Sequence, residues 1–302
     1  SIYPDAYPGR VCIEISADIL YEDIDGVKER INQLRQMGFR IAISEVGDRF
    51  CPIFSLAEIP FDKVFSSDLS RAVMTQQLAL RAGKVCAVEL DTRLAPILEK
   101  TVGEFSNLEI LWNDVLKLDV PALVREKFAG LRPMACANLP YYITSPILTA
   151  LLEAECFESV TVMVQKEVAQ RICSKAGSAD YSSITVMCNY YAEPELLFDV
   201  PAHCFIPQPK VTSAVLHCKV RKTPAVSPAC GEDFFFRTVR AAFAQRRKTL
   251  VNSLQSGYSL PKDALAEAIA ACGLPADVRG EKLSLEDYAR LADALDEKLA
   301  AQ

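Results

Sequence analysis

The sequence of 302 residues contains no apolar run that approaches the ~20 residues of a membrane-spanning helix, so we expect no membrane span. It also shows no recognisable signal peptide. Its eleven cysteines include no pair at CxxC spacing, and Cys12, Cys86, Cys136 and Cys188 lie inside apolar runs. We therefore expect reduced core thiols in a cytosolic protein, without disulfides or a zinc site.

The sequence also has few histidines, and its net charge is negative. His203 and His217 are the only histidines and offer no metal constellation. The net charge of −6 argues mildly against a nucleic-acid-binding protein, but the distribution of charge matters more than its sum. Five basic residues fall within one predicted helix: Arg237, Arg240, Arg246, Arg247 and Lys248. Four others lie near the motifs described below: Lys166, Arg171, Lys175 and Lys210. The sequence therefore indicates either a basic binding face or an ordinary solvated helix face.

The hydrophobic pattern predicts an α/β chain that ends in helices. A β-α-β-α-β pattern at the amino terminus implies parallel pairing of strands at 11–15, 41–46 and 63–67, with helices at 25–37, closed by Gly38, and 55–59. Further strands are predicted at 84–90, 109–112, 133–137, 159–165, 183–191, 195–200 and 213–220. Further helices are predicted at 70–82 (closed by Gly83), 146–153, 166–174, 233–254, 262–272 and 285–300. Ser284 and Asp287 form a capping pair, and 221–231 has the composition of a linker.

The stretch Asn138-Leu-Pro-Tyr-Tyr142 follows the predicted strand 133–137 and precedes a helix opened by Ser145-Pro146. It therefore lies at the carboxyl end of a strand, where open α/β sheets bind ligands. The Asn138 side-chain oxygen and a backbone carbonyl held open by Pro140 can each accept an N–H from an exocyclic amine on a flat base. Accepting both protons points the nitrogen lone pair at an electrophile. Tyr141 or Tyr142 can stack on the ring, worth roughly 1–3 kcal/mol. The alternative is a polar turn with two half-buried tyrosines.

Several motifs in one order carry a family resemblance. They are Ala87-Val-Glu-Leu-Asp91, Asn113-Asp-Val-Leu-Lys117, Asn138-Leu-Pro-Tyr-Tyr142, Val164-Gln-Lys-Glu-Val168, Phe205-Ile-Pro-Gln-Pro-Lys-Val211, Phe243-Ala-Gln-Arg-Arg-Lys248 and Leu283-Ser-Leu-Glu-Asp287. From about Ala72 to its end the chain resembles the KsgA family of ribosomal RNA adenine dimethyltransferases. The resemblance implies a Rossmann-like methyltransferase sheet that carries extra amino-terminal βα units, followed by a small helical RNA-binding domain. We expect an amino-terminal fragment over 1–62, the methyltransferase-like domain over 63–222 and the helical domain over 223–302.

The resemblance also implies residue roles. Glu89 accepts the ribose hydroxyls of S-adenosylmethionine and Asp114 accepts its adenine amine, while Val115 and Asn138 complete the cofactor residues. The catalytic residues are Asn138, Leu139, Pro140 and Tyr141. The substrate-binding residues are Tyr141 and Phe205, which sandwich the target adenine, with Tyr142, Lys210, Arg246, Arg247 and Lys248. Each acid could instead be a solvated strand-end residue, and the Phe205 loop could be a rigid loop with a buried side chain.

The first 70 residues do not fit that family. Cys12-Ile-Glu-Ile-Ser16, Leu34-Arg-Gln-Met-Gly38 and Ile41-Ala-Ile-Ser-Glu-Val-Gly47 resemble part of an EAL domain, the barrel of cyclic-di-GMP phosphodiesterases. The likeness covers residues of about 10–70, three βα units of eight, and the Glu-Ala-Leu motif is absent. Glu14 and Glu45 alone cannot build the two-metal site of such hydrolysis.

The cofactor loop is the main departure from the methyltransferase pattern. Where the family has a Gly-rich turn between its first strand and first helix, this chain has Ser67-Asp-Leu-Ser-Arg71. Glycine lets the backbone approach the cofactor, and side chains here occupy the space of its methionine end. The sequence therefore indicates a fusion of an EAL-like fragment with a methyltransferase that lacks its first segment.

Three functions follow from these patterns. The first is dimethylation of adenine N6 in small-subunit ribosomal RNA, with S-adenosylmethionine as donor and no metal. We then expect a cytosolic monomer that acts on the assembling 30S particle. The second is a non-catalytic RNA-binding or ribosome-assembly protein, which the missing glycine loop favours. The third, which the sequence supports least, is a cyclic-di-GMP-binding module built on the amino-terminal fragment.

Overall fold

The structure is a computed structural model that describes residues 12–16, 32–33, 36, 40–44, 63–64, 69–202, 205 and 209–301. Its contacts divide the chain into two compact units: Ser1–Leu118 with Val200–Thr212, and Asp119–Asp199 with Ser213–Gln302. We call them unit 1 and unit 2. This division follows contacts alone, so the two boundaries between the three predicted domains stay predictions.

Three short parallel strands begin unit 1: β1 (Cys12–Ser16), β2 (Arg40–Ser44) and β3 (Lys63–Val64). β2 lies between the other two, and Cys12 pairs with Arg40 in register. The predicted parallel pairing is therefore confirmed. Asn32, Gln33 and Gln36 are helical, as predicted for 25–37, while the remainder of that helix and the predicted helix at 55–59 lie outside the described residues.

Unit 1 continues with two βα steps. Its elements are α1 (Leu69–Ala79), β4 (Val85–Glu89), α2 (Ala95–Val102) and β5 (Leu108–Trp112), with 3-10 turns at Thr92–Leu94 and Val115–Lys117. β4 and β5 pair in parallel. Leu98 and Val102 of α2 are buried against Phe105 and Ile110. The helix predicted at 70–82 ends earlier, at Ala79, and Asn107 Nδ2 donates to the carbonyls of Ala79 (2.8 Å) and Ala82 (2.9 Å) at this end.

Unit 2 is built on a four-stranded mixed sheet. Its elements up to the last strand are α3 (Val120–Lys127), β6 (Met134–Asn138), α4 (Thr144–Glu153), β7 (Ser159–Gln165), α5 (Lys166–Ile172), α6 (Ser183–Tyr191), β8 (Ala192–Val200) and β9 (Ser213–Val220). The strand order is β6-β7-β9-β8; β7 pairs in parallel with β6 and antiparallel with β9. The buried side chains of Val160, Val162 and Val164 alternate along β7, as expected for a strand with one face in the core.

The segment Ser183–Tyr191 was predicted as a strand and forms the helix α6 instead. Its β-branched and aromatic residues favour a strand by propensity, but six of its nine residues are buried, including the consecutive run 185–188, which covers more than one face of a helix. A helix that is apolar all round is a buried helix. Its start is fixed locally, since the Ser182 N–H donates to Thr185 Oγ1 (3.1 Å). Packing therefore overrides propensity here.

The carboxyl-terminal helices are α7 (Glu232–Phe243), α8 (Leu250–Leu254), α9 (Lys262–Ala271) and α10 (Leu285–Ala300), with a 3-10 turn at Gly280–Lys282. Tyr190 of α6 packs on Phe235 and Phe236 of α7, with ring centroids 5.1 Å and 5.0 Å apart. The single helix predicted at 233–254 is wrong, because residues 244–249 form a turn. Directly after that break, the Leu250 N–H donates to the Val278 carbonyl (2.7 Å).

The structure also bears on the expectation of core thiols and on the expectation of no membrane span. Cys188 and Cys218 are buried, and burial raises the pKa of Cys218 to about 12, which favours the neutral thiol. Cys136 is exposed on β6 rather than in the core. Among the helices of the described ranges, none has both the length and the apolar character needed to cross a membrane.

The start of α10 gives a stability prediction. Ser284 Oγ accepts the Asp287 N–H (3.1 Å), and Asp287 Oδ2 accepts the Ser284 N–H (2.9 Å). We expect Ser284→Ala to lower the free energy of unfolding by about 0.5–2 kcal/mol, measured by urea denaturation of the full chain. The exposed Ser259→Ala is the control, with a change within about 0.5 kcal/mol. Equal unfolding curves for the two variants would contradict the capping role.

Candidate active site

Two acidic residues lie at the carboxyl end of the parallel β4–β5 pair in unit 1. Glu89 is the last residue of β4 and pairs with Trp112, the last residue of β5, and Asp114 follows two residues later. Parallel strands end at the same edge, so both acids lie at one edge of this pair. The half-buried positions of Glu89 and Asp114 leave each carboxylate partly accessible.

Local hydrogen bonds orient both carboxylates. The Asp91 N–H donates to Glu89 Oε1 (2.8 Å), and the Leu116 N–H donates to Asp114 Oδ1 (3.0 Å). Asp114 thereby caps the 3-10 turn that Val115 begins. Carboxylate oxygens held in this way suit hydroxyl and amine donors, so the pair fits the adenosine part of a nucleoside cofactor.

The segment that would face the other end of such a cofactor contains no glycine. α1 begins at Leu69, and the chain has no glycine between Gly47 and Gly83. Residues 65–68 lie outside the described ranges. The donor set of unit 1 therefore fits the adenosine half of the cofactor, whereas this sequence offers no glycine cradle for its methionine half.

The turn after β6 in unit 2 is held at both ends. Asn138 pairs with Met163 of β7, and the N–H of the buried Leu139 donates to the Met163 carbonyl (3.2 Å). Pro140 has φ −60° and ψ 130° and precedes the 3-10 turn Tyr141–Ile143. Its carbonyl accepts the Ile143 N–H (3.2 Å) and Thr144 Oγ1–H (3.1 Å). The backbone around Asn138 is therefore fixed by the sheet on one side and by α4 on the other.

The two tyrosines of the turn have different environments. Tyr141 is half-buried, and its hydroxyl lies 2.6 Å from Ser213 Oγ. Tyr142 is 85 % exposed. The sequence analysis assigned the stacking role to Tyr141 by resemblance but missed both Ser213 and Thr144. Ser213 bonds to a residue 72 positions away, and Thr144 bonds to the backbone carbonyl of Pro140, so the sequence marks neither hydroxyl as part of the site.

Phe205 and Lys210 belong to the second segment of unit 1. The Phe205 N–H donates to the Ala202 carbonyl (3.2 Å), and Lys210 is exposed. Tyr141 belongs to unit 2, so the sandwich of Phe205 and Tyr141 stays a prediction.

The prediction that five basic residues share one helix is wrong, because the chain breaks after α7. Arg237 and Arg240 lie on α7, but Arg246, Arg247 and Lys248 are exposed in the turn 244–249. The Arg246 guanidinium donates to the Ala179 carbonyl, which anchors this turn.

Two other basic residues that the sequence analysis considered for a basic binding face have partners within the protein. Lys166 pairs with Asp199 (2.6 Å), and Arg237 lies over the Tyr258 ring at 4.6 Å. Arg247 and Lys248 are thus better placed for an external anion than Lys166. No cluster of His, Cys, Asp and Glu suited to a metal ion occurs in the part of the chain that the structure describes.

The βα steps of unit 1 and the mixed sheet of unit 2 belong to the Rossmann-like methyltransferase fold class. Residues 71–297 match the family model of ribosomal RNA adenine dimethylases, so the chain belongs to that family. It is 45 % identical over 228 residues to ribosomal RNA small subunit methyltransferase A of Alkaliphilus oremlandii, a match that covers 75 % of this chain and 79 % of the relative. The enzyme of the same name from Bacillus pumilus is 44 % identical over 233 residues, with the same coverage.

Solved structures agree on the fold. A dimethyladenosine transferase from Plasmodium falciparum superposes with a TM-score of 0.60 at 21 % identity, covering 78 % of this chain and 90 % of that one. The 23S ribosomal RNA methyltransferase ErmE gives a TM-score of 0.53 at 26 % identity, covering 78 % and 91 %. The family match begins at residue 71, so the resemblance of 10–70 to part of an EAL domain, and with it the fusion, stays a prediction.

The Thr144 side chain gives a test of the turn itself. We expect Thr144→Val to lower the free energy of unfolding by about 0.5–1.5 kcal/mol, because the buried hydroxyl no longer donates to the Pro140 carbonyl. Thr223→Val, at an exposed position, is the matched control, and both are measured by urea denaturation. If both variants unfold like the parent, the Thr144 bond does not hold the turn.

Proposed function

We propose that this chain transfers two methyl groups from S-adenosylmethionine to the exocyclic N6 of adenines in small-subunit ribosomal RNA. The observation that carries the proposal is the turn Asn138–Tyr141, which is fixed at the carboxyl end of β6 by the Leu139–Met163 bond. Family membership and the names of the relatives support the same substrate. In this proposal the chain acts in the cytosol, as a monomer, on the assembling 30S particle.

The turn supplies two acceptors for the target amine. Asn138 Oδ1 is the first. The Pro140 carbonyl already accepts the Ile143 N–H and the Thr144 hydroxyl, so we assign the second role to the Leu139 carbonyl. With both amine protons held, the nitrogen lone pair points away from the turn towards the methyl donor. Positioning then supplies most of the rate, and the spare proton can leave to water after the attack.

The cofactor supplies an electrophilic methyl group on a sulfonium ion. In the proposal, Glu89 accepts the ribose hydroxyls, Asp114 accepts the adenine amine, and Val115 lies against the same base. The backbone donors to Glu89 Oε1 and Asp114 Oδ1 hold these carboxylates in place before the cofactor binds. Asn138 completes the cofactor residues.

The RNA is bound by stacking and by phosphate contacts. An adenine must leave its stack to reach the turn, and Tyr141 and Phe205 are proposed to hold it by its two faces. Tyr142 is exposed and therefore suits a neighbouring base. Lys210, Arg246, Arg247 and Lys248 are proposed to contact phosphates, which fixes register rather than sequence.

A second candidate function is RNA binding without catalysis. It is favoured by one observation, the absence of glycine between Gly47 and Gly83, which removes the usual cradle for the methionine end of the cofactor. In that case the stacking and phosphate residues keep their roles and donor binding is lost. Binding of cyclic-di-GMP through the amino-terminal fragment remains the least supported alternative.

Asn138→Ala tests the proposed chemistry. We expect it to lower methyl transfer to small-subunit ribosomal RNA about 100-fold or more, because one of two preorganised acceptors is lost. RNA affinity should stay nearly unchanged, since Asn138 makes no phosphate contact in the proposal. The measurement is the yield of N6-dimethyladenosine by mass spectrometry, with RNA affinity from filter binding.

Gln255→Ala, at an exposed position on the carboxyl side of α8, is the control and should behave like the parent. If Asn138→Ala loses RNA binding together with methyl transfer, the assignment of Asn138 as an acceptor for the target amine is wrong. A parent chain that binds RNA and forms no dimethyladenosine would favour the second candidate.

A further inference from the structure

One buried hydroxyl outside the turn contacts the tyrosine that the proposed function uses. Ser213 Oγ lies 2.6 Å from the Tyr141 hydroxyl, and the Ser213 residue is 0 % exposed. Ser213 is the first residue of β9 and lies two residues after the motif Phe205–Val211, which does not include it. The sequence motif that ends at Tyr142 does not include it.

The sheet explains why this serine reaches the turn. Met163 of β7 pairs with Asn138 of β6 on one side and with Val215 of β9 on the other. Ser213 pairs with Gln165, two residues beyond that row and towards the carboxyl end of β7. The first residue of β9 therefore lies at the same sheet edge as the turn after β6.

The position of Ser213 is set by the strand and not by the turn. β7 and β9 keep an unbroken antiparallel register from Ser159–Lys219 to Gln165–Ser213. A buried residue in such a ladder has little freedom to move. By contrast, the Tyr141 ring has two rotatable side-chain torsions and is only half-buried. A hydrogen bond at the far tip of the ring restrains both torsions at once.

We propose that Ser213 is a positioning residue for adenine methylation, because its hydroxyl holds the Tyr141 ring in the plane that stacks on the target base. The inference rests on the proposed function. Ser213 makes no contact with the base in this account and acts through Tyr141. Stacking then starts from a preorganised ring, which spares the ordering of that side chain when the RNA binds.

A double-mutant cycle tests this role. We expect Tyr141→Phe and Ser213→Ala each to lower kcat about tenfold, on the order of one net hydrogen bond, with little change in the KM for the methyl donor. The double variant should be no slower than either single one, because both substitutions remove the same bond. Ser213→Thr keeps a hydroxyl at this position and should restore much of kcat.

Tyr258→Phe is the matched control. The Tyr258 hydroxyl lies 2.6 Å from Thr238 Oγ1, and both residues are buried away from the turn. This variant loses a bond of the same kind, so it should lose thermal stability while its kcat stays at the parent value. If Ser213→Ala behaves in the same way as Tyr258→Phe, Ser213 is structural only. If the two effects multiply in the double variant, Ser213 does not act through Tyr141. Either result overturns the proposal.

If the proposed function is wrong, the parent chain will transfer no methyl group, and this result is distinct from the outcomes above. The positioning role is then decided by stacking alone, with 2-aminopurine in place of an adenine in a single-stranded oligonucleotide. Stacking on Tyr141 should quench the fluorescence of 2-aminopurine in the complex with the parent protein. At saturating protein, Ser213→Ala should quench this fluorescence less. Equal quenching in parent and Ser213→Ala would overturn the inference.

Discussion

The pairing of β6 with β7 is the constraint on which the candidate site depends. Met163 pairs with Asn138, and its carbonyl accepts the Leu139 N–H, so the chain can turn at only one place after β6. β7 itself is fixed by three buried valines and by its full register with β9. The position of the turn therefore depends on a strand that is itself buried in unit 2. A soft loop could not hold an amine and a ring in fixed directions.

Much of this framework could be predicted from the sequence. The strands at 159–165 and 213–220 and the helix at 285–300 have the predicted bounds, because alternation, helical periodicity and the Ser284 cap agree there. The edge positions of Glu89, Asp114 and Asn138 follow from the same logic, since each acid or amide comes where a short apolar run ends. These signals are local, so one sequence carries them.

The remainder depends on partners that are distant in the chain. α6 was predicted as a strand because its residues favour strands, while its burial comes from packing against helices such as α7. The break after α7 depends on Val278 and Ala179, which lie more than 25 residues away from it. The bond between Tyr141 and Ser213 joins residues 72 positions apart. No window of sequence contains both ends of any of these contacts.

The proposed methyl transfer requires that unit 1 binds the methyl donor without a glycine turn, because the proposed chemistry of the turn in unit 2 needs that donor. The most direct measurement is calorimetric titration of S-adenosylmethionine into the purified full chain. The account predicts micromolar binding that weakens at least tenfold in Glu89→Gln, which keeps an oxygen for the Asp91 N–H but loses the charge. Glu104→Gln, at an exposed position, should bind like the parent. If millimolar S-adenosylmethionine does not bind, the proposed methyltransferase activity is contradicted, and RNA binding without catalysis becomes the favoured function.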